Sequence, residues 1–110
     1  MHNTITIDGF EQNQLDVENL WSIKRDALPS EVNWENNADF VVFEGCHNGY
    51  MRLASPAMHR REFSLDKTSG NLQISDFIEG TGSHKIIAHF HFSFGAYSRD
   101  FENEININIL

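Results

Sequence analysis

HKIIAHFHFSF, residues 84–94, alternates along its whole length. On an extended chain Ile86, Ala88, Phe90, Phe92 and Phe94 share one side, while Lys85, Ile87, His89, His91 and Ser93 share the other. The stretch predicts a strand whose Phe90, Phe92 and Phe94 feed an apolar core. The same period recurs on either side of it. Ile5 and Ile7 alternate with Thr4 and Thr6 before an Asp8-Gly9 turn. Residues 38–43, ADFVVF, read as a strand bounded by Asn36-Asn37 and Gly45. Residues 57–66 alternate in their second half with Phe63 and Leu65 on one face, then Lys67-Thr68-Ser69-Gly70 signals a hairpin into NLQISDF. Gly80-Thr81-Gly82 breaks the chain again, and EININIL closes it with Ile105, Ile107 and Ile109 alternating with asparagines. Only residues 15–28 admit a helical period, through Leu20, Ile23 and Ala27; Trp21 and Ile23 fit a strand equally well. Strands with turn signals about every ten residues predict one all-β domain, an antiparallel two-layer β-sandwich.

Composition narrows the partners. The chain has 110 residues, a single-domain length, and nine phenylalanines to build a core. Sixteen acidic residues against eight basic ones give a formal net charge of -8. That excludes nucleic acid and an anionic membrane surface, which both require a cationic footprint. An acidic sugar polymer needs a local basic cluster to overcome the same repulsion. The single cysteine, Cys46, rules out an internal disulfide. No apolar run reaches the length of a membrane span, and no signal-like segment precedes the fold.

Three groups carry candidate chemistry. His89 and His91, two residues apart on a strand, project from one face about 7 Å apart, a spacing that permits two ligands on one metal. The alternative is a pair bonded to neighbours or water on the outer face of the sandwich. In His59-Arg60-Arg61, alternation sends His59 and Arg61 to the face of Phe63, and Arg60 to the face of Glu62. Arg61 there either clamps a sugar carboxylate or pairs across strands with Asp76 or Glu79. The stretch 45–50, GCHNGY, reads as a polar rim loop in which His47 and Tyr50 contact a ligand, or as a tight turn with Tyr50 packed sideways. No phosphate loop, serine triad or nucleophilic cysteine pattern is present. The residues alone reach an acidic β-sandwich with a histidine-rich strand.

The order of the motifs carries further. HNTITIDGFEQ at 2–12, GYMRL at 49–53, HRREFSLD at 59–66, LQISDFIEGTGSH at 72–84 and AHFHFSF at 88–94 resemble the C-terminal part of the heparinase II/III-like polysaccharide lyases. The resemblance covers residues 2–94 and leaves the tail from 95 unplaced. It implies a β-sandwich that follows an α/α toroid, the two forming a cleft that cleaves uronic-acid-containing polysaccharide by β-elimination. A base removes the C5 proton, a Tyr or His protonates the leaving oxygen, and the neutralised carboxylate eases the carbanion. Most of that machinery belongs to the toroid and to a His-x-His segment outside this chain, so the resemblance implies a domain fragment that is inactive alone. It also implies a structural zinc near His2, with partner ligands supplied from elsewhere. The parent is expected to be periplasmic or secreted in a bacterium, its signal lying upstream. Missing early strands would leave an unpaired sheet edge, to be covered or used for homodimerisation.

Overall fold

The computed structural model describes residues 2–19, 21–92, 97–101 and 104–108, the last two stretches as main chain. Eight strands follow one another: β1 (Ile5–Ile7), β2 (Pro29–Asn36), β3 (Phe40–His47), β4 (Ala57–Asp66), β5 (Leu72–Gly80), β6 (Ile86–Ala88), β7 (Tyr97–Phe101) and β8 (Glu104–Asn108). A 3-10 turn, Gly49–Arg52, lies between β3 and β4. Strands β2, β3, β4 and β5 form a four-stranded meander, β1 pairs with β6, and β7 pairs with β8, all antiparallel. The fold is all-β, as the alternation predicts, and its sheets are those of a sandwich.

Side-chain stabilised turns set the meander. Asn37 accepts the Asp39 and Phe40 amides at the β2–β3 corner, and Asp66 accepts the Thr68 and Ser69 amides at the β4–β5 corner. Gly70 takes a φ of +75° to close that second turn. Register then sorts the side chains. Trp34 faces Phe43, Phe43 faces Phe63, and Phe63 faces Ile74, so one transverse row crosses the sheet on a single face. Val41, Leu65 and Leu72 extend this face one way; Arg61, Asp76, His47, His59, Ile78 and Ala57 extend it the other way. The opposite face carries Glu35, Glu44, Glu62, Arg60, Ser64 and Gln73 and is the solvent side. There Arg60 bridges Glu31 and Glu44.

The core sits at one end of the apolar face. Ile5, Ile7, Tyr50 and Ala57 are fully buried together, with Leu53 and Ile78 against them. Strand β1 is covered on both sides, Thr6 as well as its isoleucines, and so is Thr4 before it. Away from β1 the face is open: Trp34 is 66% exposed and Leu72 56%.

Four expectations need correcting. The 84–94 stretch is a strand only over Ile86–Ala88, because its partner β1 offers three residues to pair. Phe90 and Phe92, expected in the core, are 37% and 43% exposed; β1 and Tyr50 fill the space instead. Phe90 lies over the Arg61 guanidinium, 5.5 Å from ring centre to Cζ, and Phe94 falls outside the described residues. Second, β3 runs through Gly45 to His47 rather than ending before Gly45, because β4 supplies pairing partners that far. Third, residues 15–28 form neither a helix nor a named strand; Leu15 and Ile23 make one isolated bridge, and Leu20 lies outside the description. Fourth, no strand is expected over 29–36, yet β2 forms there, with Val32 and Trp34 alternating within it.

Candidate functional site

At the covered end of the sheet, β3, β4 and β5 bring four polar side chains into line. Alternation puts His47, His59, Arg61 and Asp76 on the inner face, where water is scarce and every polar atom needs a partner. His47 Nε2 lies 3.1 Å from His59 Nδ1, and His59 Nε2 lies 2.7 Å from Asp76 Oδ1. Arg61 grips the same carboxylate twice, Nε to Oδ1 at 2.7 Å and one terminal nitrogen to Oδ2 at 2.8 Å. Its other terminal nitrogen donates to the Asn3 carbonyl at 2.6 Å, tying the sheet to the segment before β1. The cation–carboxylate reading of Arg61 and Asp76 is thus the arrangement present.

The protons in this chain are fixed by one backbone amide. Gly49 N–H donates to His47 Nδ1 at 3.2 Å, so Nδ1 is bare and the ring proton sits on Nε2. That proton is donated to His59 Nδ1. The proton of His59 therefore sits on Nε2 and goes to Asp76. Both imidazoles are neutral, each ring nitrogen is engaged, and the chain ends on an anion. Burial above all, with the Arg61 cation adding to it, pushes His47 down to about 4. Burial would raise Asp76, but hydrogen bonds from His59 and Arg61 outweigh it and hold the carboxyl at about 2.

Tyr50 stands against this cluster, its ring 5.5 Å from that of His47. Of the two readings of 45–50, the tight turn with Tyr50 packed is the one that forms: Tyr50 is fully buried, and its hydroxyl donates to the Ile5 carbonyl at 2.5 Å. Burial, reinforced by Glu11, pushes its hydroxyl up to about 12. The turn is pressed inward because Gly49 has no Cβ. Any Cβ there would clash with the Gln12 carbonyl oxygen, and Arg52 pins the same segment through the Glu11, Gln12 and Gly49 carbonyls.

The metal candidates lie elsewhere. His2 and His91 are exposed, the His91 amide donating to Asn3 Oδ1 at 2.8 Å. His89 is half-buried and stands 3.3 Å from the Thr6 hydroxyl. Pairing beside β1 brings the two segments together, as the Thr4 carbonyl accepts the His89 amide at 2.8 Å. Among the described residues, though, no three of His, Cys, Asp and Glu gather as a metal site. Among the described residues the donor set does not fit a zinc by itself.

A second histidine site has no local signature in the sequence. His84 bonds Asp8 and the Thr81 carbonyl, joining the Asp8-Gly9 turn to the Gly82–Lys85 loop. Both turns were legible separately, but nothing in the sequence couples positions so far apart.

The chain belongs to the heparinase II/III-like, C-terminal family, whose model matches residues 1–107, and with it to the polysaccharide lyases. The match runs past residue 94 to take in β7 and most of β8, the part the motif resemblance left unplaced. No curated protein and no solved structure matches the chain. No helix among the described residues is long and apolar enough to cross a membrane.

Proposed function

We propose that this chain forms the C-terminal β-sandwich wall of a polysaccharide lyase that cleaves uronic-acid-containing polysaccharide by β-elimination, and that it is inactive without the toroid. The observation that carries the reading is the family match across residues 1–107. The geometry supports the second half. A base for the C5 proton needs a ring nitrogen or phenolate open to substrate. In the described cluster all four nitrogens of His47 and His59 are engaged and the Tyr50 hydroxyl is buried. Arg61 is the natural carboxylate clamp, yet a sugar acid must displace Asp76 to use it. In this reading His47, Tyr50 and Arg61 shape the wall, and acidic polysaccharide is met in a cleft completed by the preceding domain. A zinc at His2 would likewise take its remaining ligands from outside this chain.

The test follows unsaturated uronate formation from acidic polysaccharides, with the 110-residue chain alone and joined to its preceding domain. Product is expected only from the joined protein. Turnover by the isolated chain would sink the reading of an inactive wall, and none from either would sink the lyase.

A second reading, a stand-alone module that binds carbohydrate or protein without catalysis, rests on Trp21 and Trp34, 99% and 66% exposed. Saturable change of indole fluorescence with neutral or acidic oligosaccharides, abolished in Trp21→Ala, would favour it.

A further inference from the structure

The His84 side chain is only 8% exposed and sits between two groups that can accept but not donate. Its Nδ1 is 2.7 Å from Asp8 Oδ2, and its Nε2 is 2.7 Å from the Thr81 carbonyl oxygen. Each contact needs a proton on the ring side, so the ring that satisfies both is the imidazolium. The rest of the Asp8 residue closes the same knot. Its second carboxylate oxygen accepts the Lys85 amide at 2.8 Å, and its own amide donates to the Lys85 carbonyl at 2.8 Å. Asp8 holds a φ of +53° and Gly9 one of +82°, a turn that needs outside support at its non-glycine position.

We propose that His84 is a proton-operated clasp: charged, it braces the 8–10 turn against the head of β6, and on losing a proton it loosens that hold. The carboxylate retains the Nδ1 proton, so the Nε2 proton is the one to leave, and the Asp8 contact falls from an ion pair to a neutral hydrogen bond. A bare Nε2 lone pair then faces the Thr81 oxygen across 2.7 Å; both atoms belong to the 81–85 loop, so the repulsion strains that loop from within and weakens its grip on Asp8. That loop leads directly into Ile86, the partner of Ile7, whose side chain is in the core. Release therefore begins at the β1–β6 pairing and not in the four-stranded sheet. The charged groups at the ring are Asp8, in contact, and Lys85, its chain neighbour; Thr81 contributes a neutral carbonyl. The Asp8 hydrogen bond, opposed by desolvation and aided by the Thr81 carbonyl, raises His84 above its ordinary 6.5. A raised base stabilises the fold fully below about 6.5 and loses that contribution as pH rises through the folded value.

Two-dimensional nitrogen–proton spectra of the imidazoles in the 110-residue chain test this directly. His84 is expected to show two protonated nitrogens at pH 7 and a midpoint above 6.5. Asp8→Asn is expected to lower that midpoint, since it removes the hydrogen-bonded carboxylate that raises it. The difference in thermal midpoint between the parent chain and His84→Gln should shrink as pH rises through the His84 titration. Exchange of the Asp8 and Lys85 amides should accelerate there more than that of β4–β5 amides. A neutral His84 ring at pH 7, an unmoved midpoint in Asp8→Asn, or a His84→Gln difference that is flat with pH would each overturn the proposal.

Discussion

His47 and His84 are the same side chain in opposite states, and the last atom of each hydrogen-bond chain decides which. At His47 the outermost partner is a donor, the Gly49 amide, which forbids a proton on Nδ1 and passes neutrality down the line to His59. At His84 both partners are acceptors, and the ring is required to be charged. The first group lies within the sheet's inner face between strands; the second spans two turns. Histidine protonation here follows from backbone geometry more than from depth, since the charged ring is itself only 8% exposed. Linkage makes the two sites pull in opposite directions. His47, pushed down to about 4, favours the fold at neutral pH and costs stability as pH falls below 6.5. His84 favours the fold in acid and gives up its contribution as pH rises.

Four measurements break or sharpen the contrast. Asp76→Ala should have the largest effect, about 3–5 kcal/mol in urea denaturation, because Arg61 and His59 lose their shared acceptor on the inner face. A loss under about 1 kcal/mol would mean the sheet cluster is no stronger than a surface pair. Gly49→Ala should cost roughly 1–3 kcal/mol by overpacking against Gln12. It should also raise the His47 titration as the donating amide is lost, burial still holding it below 6.5; an unchanged titration would break the account of the proton positions. Lowering pH from 6.5 to about 4 should remove of order 1–2 kcal/mol after discounting for partial exposure, and His47→Gln should flatten that acid limb. Arg60→Ala, on the solvent face with Glu31 and Glu44, is the control. It should cost less than about 1 kcal/mol and fade in salt.

Much of the sheet was legible. The β4–β5 hairpin was readable because its turn residues and its alternation agree, and the parity of His59, Arg61 and Phe63 placed them on the right face. The family resemblance also stood. What failed was where strands stop. HKIIAHFHFSF has enough alternation for eleven residues, but its ladder ends with a three-residue partner found far away in sequence. Equally, GCHNGY looks like a loop until β4 is present to extend β3 through His47. His47 bonds His59, Asp8 bonds His84 and Tyr50 bonds Ile5 only once register is set, so those contacts had no local signature. Arg61 with Asp76 was the exception, since opposite charges on facing strands were foreseeable.

The small set of fully covered apolar side chains has a thermal consequence. Among the described residues the buried hydrophobic set is Ile5, Ile7, Cys46, Tyr50 and Ala57, while much of the apolar sheet face is wet already in the native state. Unfolding then adds little new hydrocarbon to water, so the heat-capacity increment should be low for 110 residues. A low increment flattens the curve of free energy against temperature, and the matching low denaturant slope broadens the transition. In calorimetry this protein should therefore show a wide, shallow endotherm and little tendency to unfold in the cold.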